Sequence, residues 1–318
     1  MVITIALLLG SAAAHAQWQP ERNVALIVPS TAGGSLDNVG RTIQRMWEQQ
    51  KLVPVSSTII NMGGGGHAIA YNFLDQRAGN PLFMSITSST LHASHINGRT
   101  KLSYRDFTPL TVMLTEYIAF AVRPDSPLKT GRDLVEALRA DPAKYSLALS
   151  SAVGGTHHIS FGLPLLSGKV DIRKTKMVAF TSTGEAVTAL LGGHVDVLSG
   201  GTVQIAPHVA SGKMRLLAVS SPQRLPGVLA AGPTWPELGY KGVFENWRGI
   251  IGTKGMTRAQ IAYWDDVFSK IAASSEFKSI AGKNQWVINY KNAAETRKFF
   301  EGEYGEIKAV MDSVGLSK

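Results

Sequence analysis

Residues 23–40 read NVALIVPSTAGGSLDNVG. The first seven are a short apolar run rich in β-branched side chains, which predicts a buried strand. The polar loop STAGGS follows, and then LDNVGRTIQRMWEQQ, in which Val39, Ile43, Met46 and Trp47 recur at helical spacing. The same order of strand, Ser/Thr/Gly loop and helix returns at INMGGGGH (60–67), LSSAVGGTHH (149–158) and FTSTGE (180–185). In a parallel sheet such loops lie at the carboxyl ends of the strands, where open α/β folds bind ligands. Glycine lets the backbone approach a ligand closely, and the next helix offers unpaired N–H groups and a partial positive charge. Hydrogen bonds to a charged group contribute roughly 1.5–3 kcal/mol each, so three or four of them with two helix termini predict an anion clamp that needs no fixed cation.

Working outward, strands alternate with helices through most of the chain, which predicts an α/β fold with parallel sheets. A first series runs to YIAFAV, and RPDSP (123–127) separates it from a second. The second series is GRDLVEALRA, YSLALSS, THHISFGLPLLS, KMVAFTS, GEAVTALLGG, VDVLSG, VQIAPHVASG and MRLLAVSS. The Pro/Gly-rich stretch 220–233 then leads to FENWRGIIGT and two further helices, read as a return to the first unit. The expected architecture is therefore two doubly wound lobes with a hinge and a cleft between them, as in a type II periplasmic-binding-protein fold. Residues 17–122 plus 222–318 form one lobe and 123–221 the other, with crossings near 122 and 221. The segment SSTLHASHING after the third strand is expected as a polar loop whose Ser88, Ser89, His92 and Asn97 could set specificity. Trp47 and Trp264 fall in helical stripes and are expected in the core, whereas Trp247 suits core and cleft equally.

The first sixteen residues, MVITIALLLGSAAAHA, end in small residues with Ala14-His15-Ala16 as a cleavage site, the pattern of an export signal. The apolar run is too short for a bilayer span, which needs about 20 residues. With no cysteine there is no disulfide framework, no thiolate nucleophile and no cysteine-based metal site. A net charge of +9 favours anionic partners. The basic residues are scattered, without a stripe or interleaved aromatics, which argues against nucleic acid.

Chemistry is equally constrained. His157 and His158 are adjacent, whereas a helical chelating pair needs i, i+4 spacing, so no metal is expected. No G-x-S-x-G elbow surrounds Ser150 or Ser151, and no phosphate-loop or spaced dinucleotide fingerprint occurs, so neither an enzyme nor a cofactor is expected. A histidine in a first helical turn more often caps or lies at the surface than touches a ligand, and Thr156 is the natural N-cap there.

Together the stretches VPSTAGGSLDNVGR, IINMGGGGHAIA, YRDFTPLTVM, ALSSAVGGTHH, LLGGHVDVLSGG, PHVASGKMRLLAVSS, PTWPELGY and NWRGIIGTKGMT resemble the Bug-type receptors, periplasmic solute-binding proteins of tripartite tricarboxylate transporters. The resemblance runs over nearly the whole mature chain. It implies a monomeric periplasmic protein that closes on a small mono-, di- or tricarboxylate and delivers it to membrane permease subunits. It also implies that one ligand carboxylate is held by Ser30, Thr31, Ala32, Gly33, Gly34 and Ser35 of one lobe and Ser151, Gly155, Thr156 and His157 of the other. Asn61 and Gly66 of the second loop and Ser88 join this set. Thr181, Ser182, Thr183, Gly184 and Glu185 would face the far end of the ligand. Two departures bear on ligand identity: Met62 and four glycines follow Asn61 where the family usually carries an arginine, and Phe180 to Thr183 replace its Tyr-Lys-Gly. Glu185 could favour a ligand that also carries a positive group. A carboxylate sensor feeding a two-component signalling system is the alternative that the sequence leaves open.

Overall fold

Strand β1 (Val24–Val28) is buried along its whole length because both faces of the sheet are covered. Val24, Leu26 and Val28 point into one core and Ile27 into another, the period-two alternation of a strand. Helix α1 (Ser35–Gln49) lays Leu36, Val39, Ile43, Met46 and Trp47 on the first core. The computed structural model describes residues 18–318 except 152, 181 and 314, so the expected export signal and Thr181 lie outside the described residues.

Beyond α1 come β2 (Ser57–Asn61), α2 (Ala68–Asp75), β3 (Phe83–Thr87), α3 (Thr90–Ile96) and β4 (Thr108–Glu116). Next are β5 (Ile118–Val122), α4 (Gly131–Ala140), β6 (Ser146–Leu149), α5 (Thr156–Ser167), β7 (Lys176–Ala179), α6 (Thr183–Leu191), β8 (Val197–Gly201), α7 (Thr202–Ala210) and β9 (Arg215–Val219). The chain ends with β10 (Asn246–Gly252), α8 (Arg258–Ala273), α9 (Ser275–Lys283), β11 (Val287–Lys291) and α10 (Ala293–Ser313).

The strands form two sheets, ordered β11-β4-β10-β3-β1-β2 and β7-β6-β8-β5-β9. The expected two-lobed α/β fold is present, but each sheet is mixed. Strand β10 runs against both β3 and β4, and β5 runs against both β8 and β9. Topology explains the reversal. The chain leaves the first sheet at the carboxyl end of β4, passes through Tyr117, and enters the second at Ile118, opposite Gly201 at the end of β8. It returns at Asn246, opposite Glu116. A strand that starts where its neighbour stops must run the other way.

The sequence reading puts these crossings near 122 and 221; the sheets exchange at Tyr117 and after Phe244. Residues 222–245 pack with the second sheet. Leu225 and Leu229 join one of its cores, and Trp235, Tyr240 and Phe244 join the other. Ser220, fully buried, ties both crossings: its Oγ accepts from Ile118 N at 2.9 Å and donates to Phe244 O at 3.0 Å. Helix α10 spans the two lobes, placing Phe300 in a core of the first and Ile307, Val310 and Met311 in a core of the second. Trp47, Trp264 and Trp247 are all fully buried, so the ambiguous Trp247 belongs to the core.

Candidate functional site

A cavity of about 210 Å³ lies where the ends of the two sheets meet. The first lobe lines it with Leu36, His67, Ser88, Thr90, Asn246 and Arg248, and the second with Ser150, Ser151, Thr156 and His157. A separate groove of about 980 Å³ lies between α5, α10 and residues 236–243. That groove is larger but mostly apolar, whereas hydroxyl, imidazole and guanidinium groups converge on the smaller cavity, the combination that fixes a ligand's orientation.

In the second lobe the loop after β6 is held by its own side chains. Ser150 Oγ donates to Ser199 O at 2.9 Å, and Ser151 Oγ accepts from His157 N at 3.3 Å. Gly154 N donates to His158 Nδ1 at 2.8 Å, which requires that nitrogen to be unprotonated. His158 therefore supplies the capping contact, and His157 lines the cavity with Nδ1 3.2 Å from Ser199 Oγ. Thr156 is the first helical residue and part of the cavity wall; the N-cap is Gly155, whose extended backbone carries no side-chain cap. Burial lowers the His157 and His158 imidazoles to about 4, with the nearby Arg248 charge adding to the effect on His157. Both are neutral at pH 7.

Across the cavity, Gly64, Gly65 and Gly66 all have positive φ, and His67 follows with φ 72°. That conformation is uncommon for a residue with a side chain. His67 Nδ1 lies 3.3 Å from Tyr71 Oη, itself 3.0 Å from Thr87 Oγ1. Burial, with Arg248 assisting, lowers His67 to about 4 as well. Gly66 does not line the cavity; its carbonyl accepts from Ser94 Oγ at 2.7 Å.

The loop from Ser30 to Ser35 also stands back from the cavity wall, which Leu36 reaches instead. Its backbone is committed to a brace. Buried Asp37 accepts from Gly33 N, Arg41 Nε and Asn61 Nδ2, each at 2.8 Å, and Asn61 also donates to Ser30 O. Burial works to raise the Asp37 carboxyl, but those bonds outweigh it and hold it below the usual aspartate range. Asn61 thus joins two loops. Replacing Asp37 with alanine removes the acceptor of the Gly33 N–H and of one Asn61 amide N–H, so a loss of about 2–4 kcal/mol is expected in urea unfolding. An unchanged midpoint would show that the brace is redundant.

Ser88 reaches the cavity from the end of β3, as does Thr90. The expected polar loop after Ser89 is instead helix α3, because Leu91, Ala93 and Ile96 bury one face and His92 is drawn inside. His92 Nε2 sits 3.3 Å from Glu303 Oε2 amid Tyr104, Phe300 and Tyr304. Asn97 ends the helix and accepts from Arg99 N. Neither lines the cavity. Ser182 caps α6 by accepting from Glu185 N at 3.2 Å, and Thr183, Gly184 and Glu185 lie apart from the wall.

Sequence reasoning missed Arg248 altogether. A clamp without a fixed cation was expected; the wall contains one whose side chain is 8% exposed. Its Nη1 donates to Asn246 O, Asn246 Oδ1 and Trp247 O, and its Nη2 to Ser35 Oγ and Glu116 Oε2. Glu116 also accepts from Ser35 Oγ and Trp286 Nε1. The available signal was an arginine inside the otherwise apolar run NWRGIIG. Among the described residues no group of three or more His, Cys, Asp or Glu could hold a metal.

The family model described as the tripartite tricarboxylate transporter family receptor matches residues 41–316. The chain belongs to that family. Members of this receptor family are solute-binding proteins and not enzymes. BugT of Bordetella pertussis is 27% identical over 251 residues, covering 77% of this receptor and 74% of that protein. A TctC solute-binding protein from Polaromonas superposes with TM-score 0.80 at 22% identity, over 92% of this receptor and 99% of that chain. Rpa4515 of R. palustris, solved with adipate, gives 0.76 at 22% identity over 94% and 99%. MatC of Rhodopseudomonas palustris, solved with bound malate, gives 0.71 at 23% over 93% and 99%. No described helix of the receptor is long and apolar enough to cross a membrane.

Proposed function

We propose that this receptor captures a small organic carboxylate in the interlobe cavity and delivers it to the permease subunits of a tripartite tricarboxylate transporter. It works in the periplasm after removal of residues 1–16, as a monomer. One observation carries the reading: donors from both lobes, among them Ser88, Thr90, Ser150, Ser151, Thr156, His157 and Arg248, converge on one small cavity. At about 210 Å³ it is below the ~300–1,000 Å³ of drug-sized sites and suits a ligand of few atoms. Proteins of the same fold solved with adipate and with bound malate support the chemical class. Ligand contacts then fall to Ser88, Ser151, Thr156 and His157 from the sequence-derived set, joined by His67, Thr90, Ser150, Asn246 and Arg248. The loops at 30–35, 61–66 and 182–185 support this wall and close over the ligand as the lobes hinge about Tyr117 and Glu245.

A thermal-shift screen of the mature protein, unfolded and refolded to strip carried-over ligand, tests the reading. A carboxylate at a hundredfold excess over its Kd adds about 2.7 kcal/mol, a rise of several degrees. A panel of mono-, di- and tricarboxylates that leaves the melting temperature unchanged would overturn it.

A further inference from the structure

Arg248 differs from every other residue in the cavity wall. Among the described lining residues it is the one that carries a full charge at neutral pH, since both histidines there are held neutral. Its guanidinium is almost fully buried, which is costly unless each donor finds an acceptor. Four of its five N–H groups have acceptors in Asn246, Trp247, Ser35 and Glu116. The fifth, on Nε, is buried with no partner among the described residues. Burial of an arginine donor without an acceptor is unusual, and it occurs here on a side chain that lines the polar cavity.

The surroundings keep this cation fixed in place. Asn246 and Arg248 open β10, the strand that starts at the cavity because the chain re-enters the first sheet there. Glu116 closes β4, directly before the crossing at Tyr117. The pair Arg248–Glu116 therefore joins the two strands next to both crossings, and Ser35 at the start of α1 hydrogen-bonds to both partners. An anion that engaged Arg248 would be read by a group anchored in the sheet, not by a mobile surface side chain.

We propose that Arg248 is the specificity-determining residue of the cavity, selecting ligands that carry a second anionic group besides the carboxylate taken by the hydroxyl and amide donors. The inference rests on the carboxylate-receptor reading above. The second group is identified by its chemistry alone: a carboxylate, sulfonate or phosphonate presents the acceptor oxygens that a guanidinium pairs with.

The test is calorimetric titration of the stripped wild-type protein with α,ω-dicarboxylates from succinate to suberate, and with monocarboxylates of the same chain lengths. The expected result is that the best dicarboxylate binds about ten- to a hundredfold more tightly than its monocarboxylate, the range for one charge-assisted hydrogen bond. In Arg248→Gln that ratio should collapse towards one, because dicarboxylate affinity falls much further than monocarboxylate affinity. Removing the arginine leaves the half-buried Glu116 carboxylate without its counter-charge, so the double variant Arg248→Gln/Glu116→Gln, which removes both charges, is measured beside it. A ratio that survives in the double variant overturns the inference, as does equal binding of the two series by the wild type. Binding of neither series would overturn the carboxylate reading itself, an outcome distinct from monocarboxylate binding with no gain from the second anion.

Discussion

Acidification from about pH 7.5 to 5 is expected to cost up to about 6 kcal/mol of unfolding free energy, read as a falling urea midpoint. The cause is the three histidines around the cavity. His67, His157 and His158 are each lowered to about 4 by burial, with Arg248 contributing to the first two. In the unfolded chain a histidine titrates near 6.5. Above that value neither state binds the proton and stability is at its full level. Between 6.5 and 4 the unfolded state binds protons that the folded state refuses, so stability falls with pH. One pKa unit corresponds to about 1.4 kcal/mol, so each group costs about 2 kcal/mol by pH 5. Burial and neighbouring carboxylates raise Glu306, and burial with Glu295 raises Asp265, so these two act in the opposite sense. Carboxylates titrate mostly below the histidine window, and two groups cannot cancel three. His158→Gln, which keeps an acceptor for Gly154 N, should remove about a third of the pH dependence. A midpoint that stays level from pH 7 to 5 would show that the imidazoles protonate freely in the folded protein.

Gly249→Ala is expected to cost about 4 kcal/mol or more, beyond the 1–3 kcal/mol of ordinary overpacking. A methyl group at this position would collide with Thr111 O and lie 3.3 Å from Val112 Cα. Both are backbone atoms of β4, a strand paired on both sides, so neither can rotate away. The register explains the crowding. Arg248 pairs with Leu114 and Gly249 with Val112, leaving Met113 as an extra residue on β4. Such a bulge bends and twists its strand and re-aims the side chains beside it, here Arg248. The variant should melt roughly 10 °C lower, judged from the ~2–4 °C per kcal/mol typical of chains somewhat shorter than this one. A melting temperature within 2 °C of wild type would show that the sheet can open there without penalty.

Much of the molecule was legible in the sequence because it depends on neighbours in the chain. The alternation of apolar runs with Ser/Thr/Gly loops gives β1, α1, β6 and α5 directly, since strand and helix periods act over a few residues. The stripe that buries Trp47 and the one that buries Trp264 are local in the same way. Part of the cavity wall follows as well: Ser151, Thr156 and His157 lie where a strand end meets a helix start, and Ser88 lies where β3 ends.

Other features depend on contacts between distant segments. Whether SSTLHASHING is loop or helix turns on Glu303, Phe300 and Tyr304, roughly two hundred residues away, which draw His92 inside. The amide of Gly33 looks available in sequence, yet Asp37 takes it, with Asn61 from another strand bracing the same carboxylate. Above all, the carboxyl ends of the parallel strands do not include Arg248, which lies near the start of the antiparallel strand β10. By itself the sequence determined most of the strands and helices and the loops that follow them, though neither β4 nor β11, because backbone sterics and hydrophobic periodicity act locally. Only the tertiary structure decided where the chain re-enters the first sheet, since strand order and direction are set by which distant faces bury one another. That choice turns β10 around and brings a cation to a cleft whose other lining groups are neutral at pH 7.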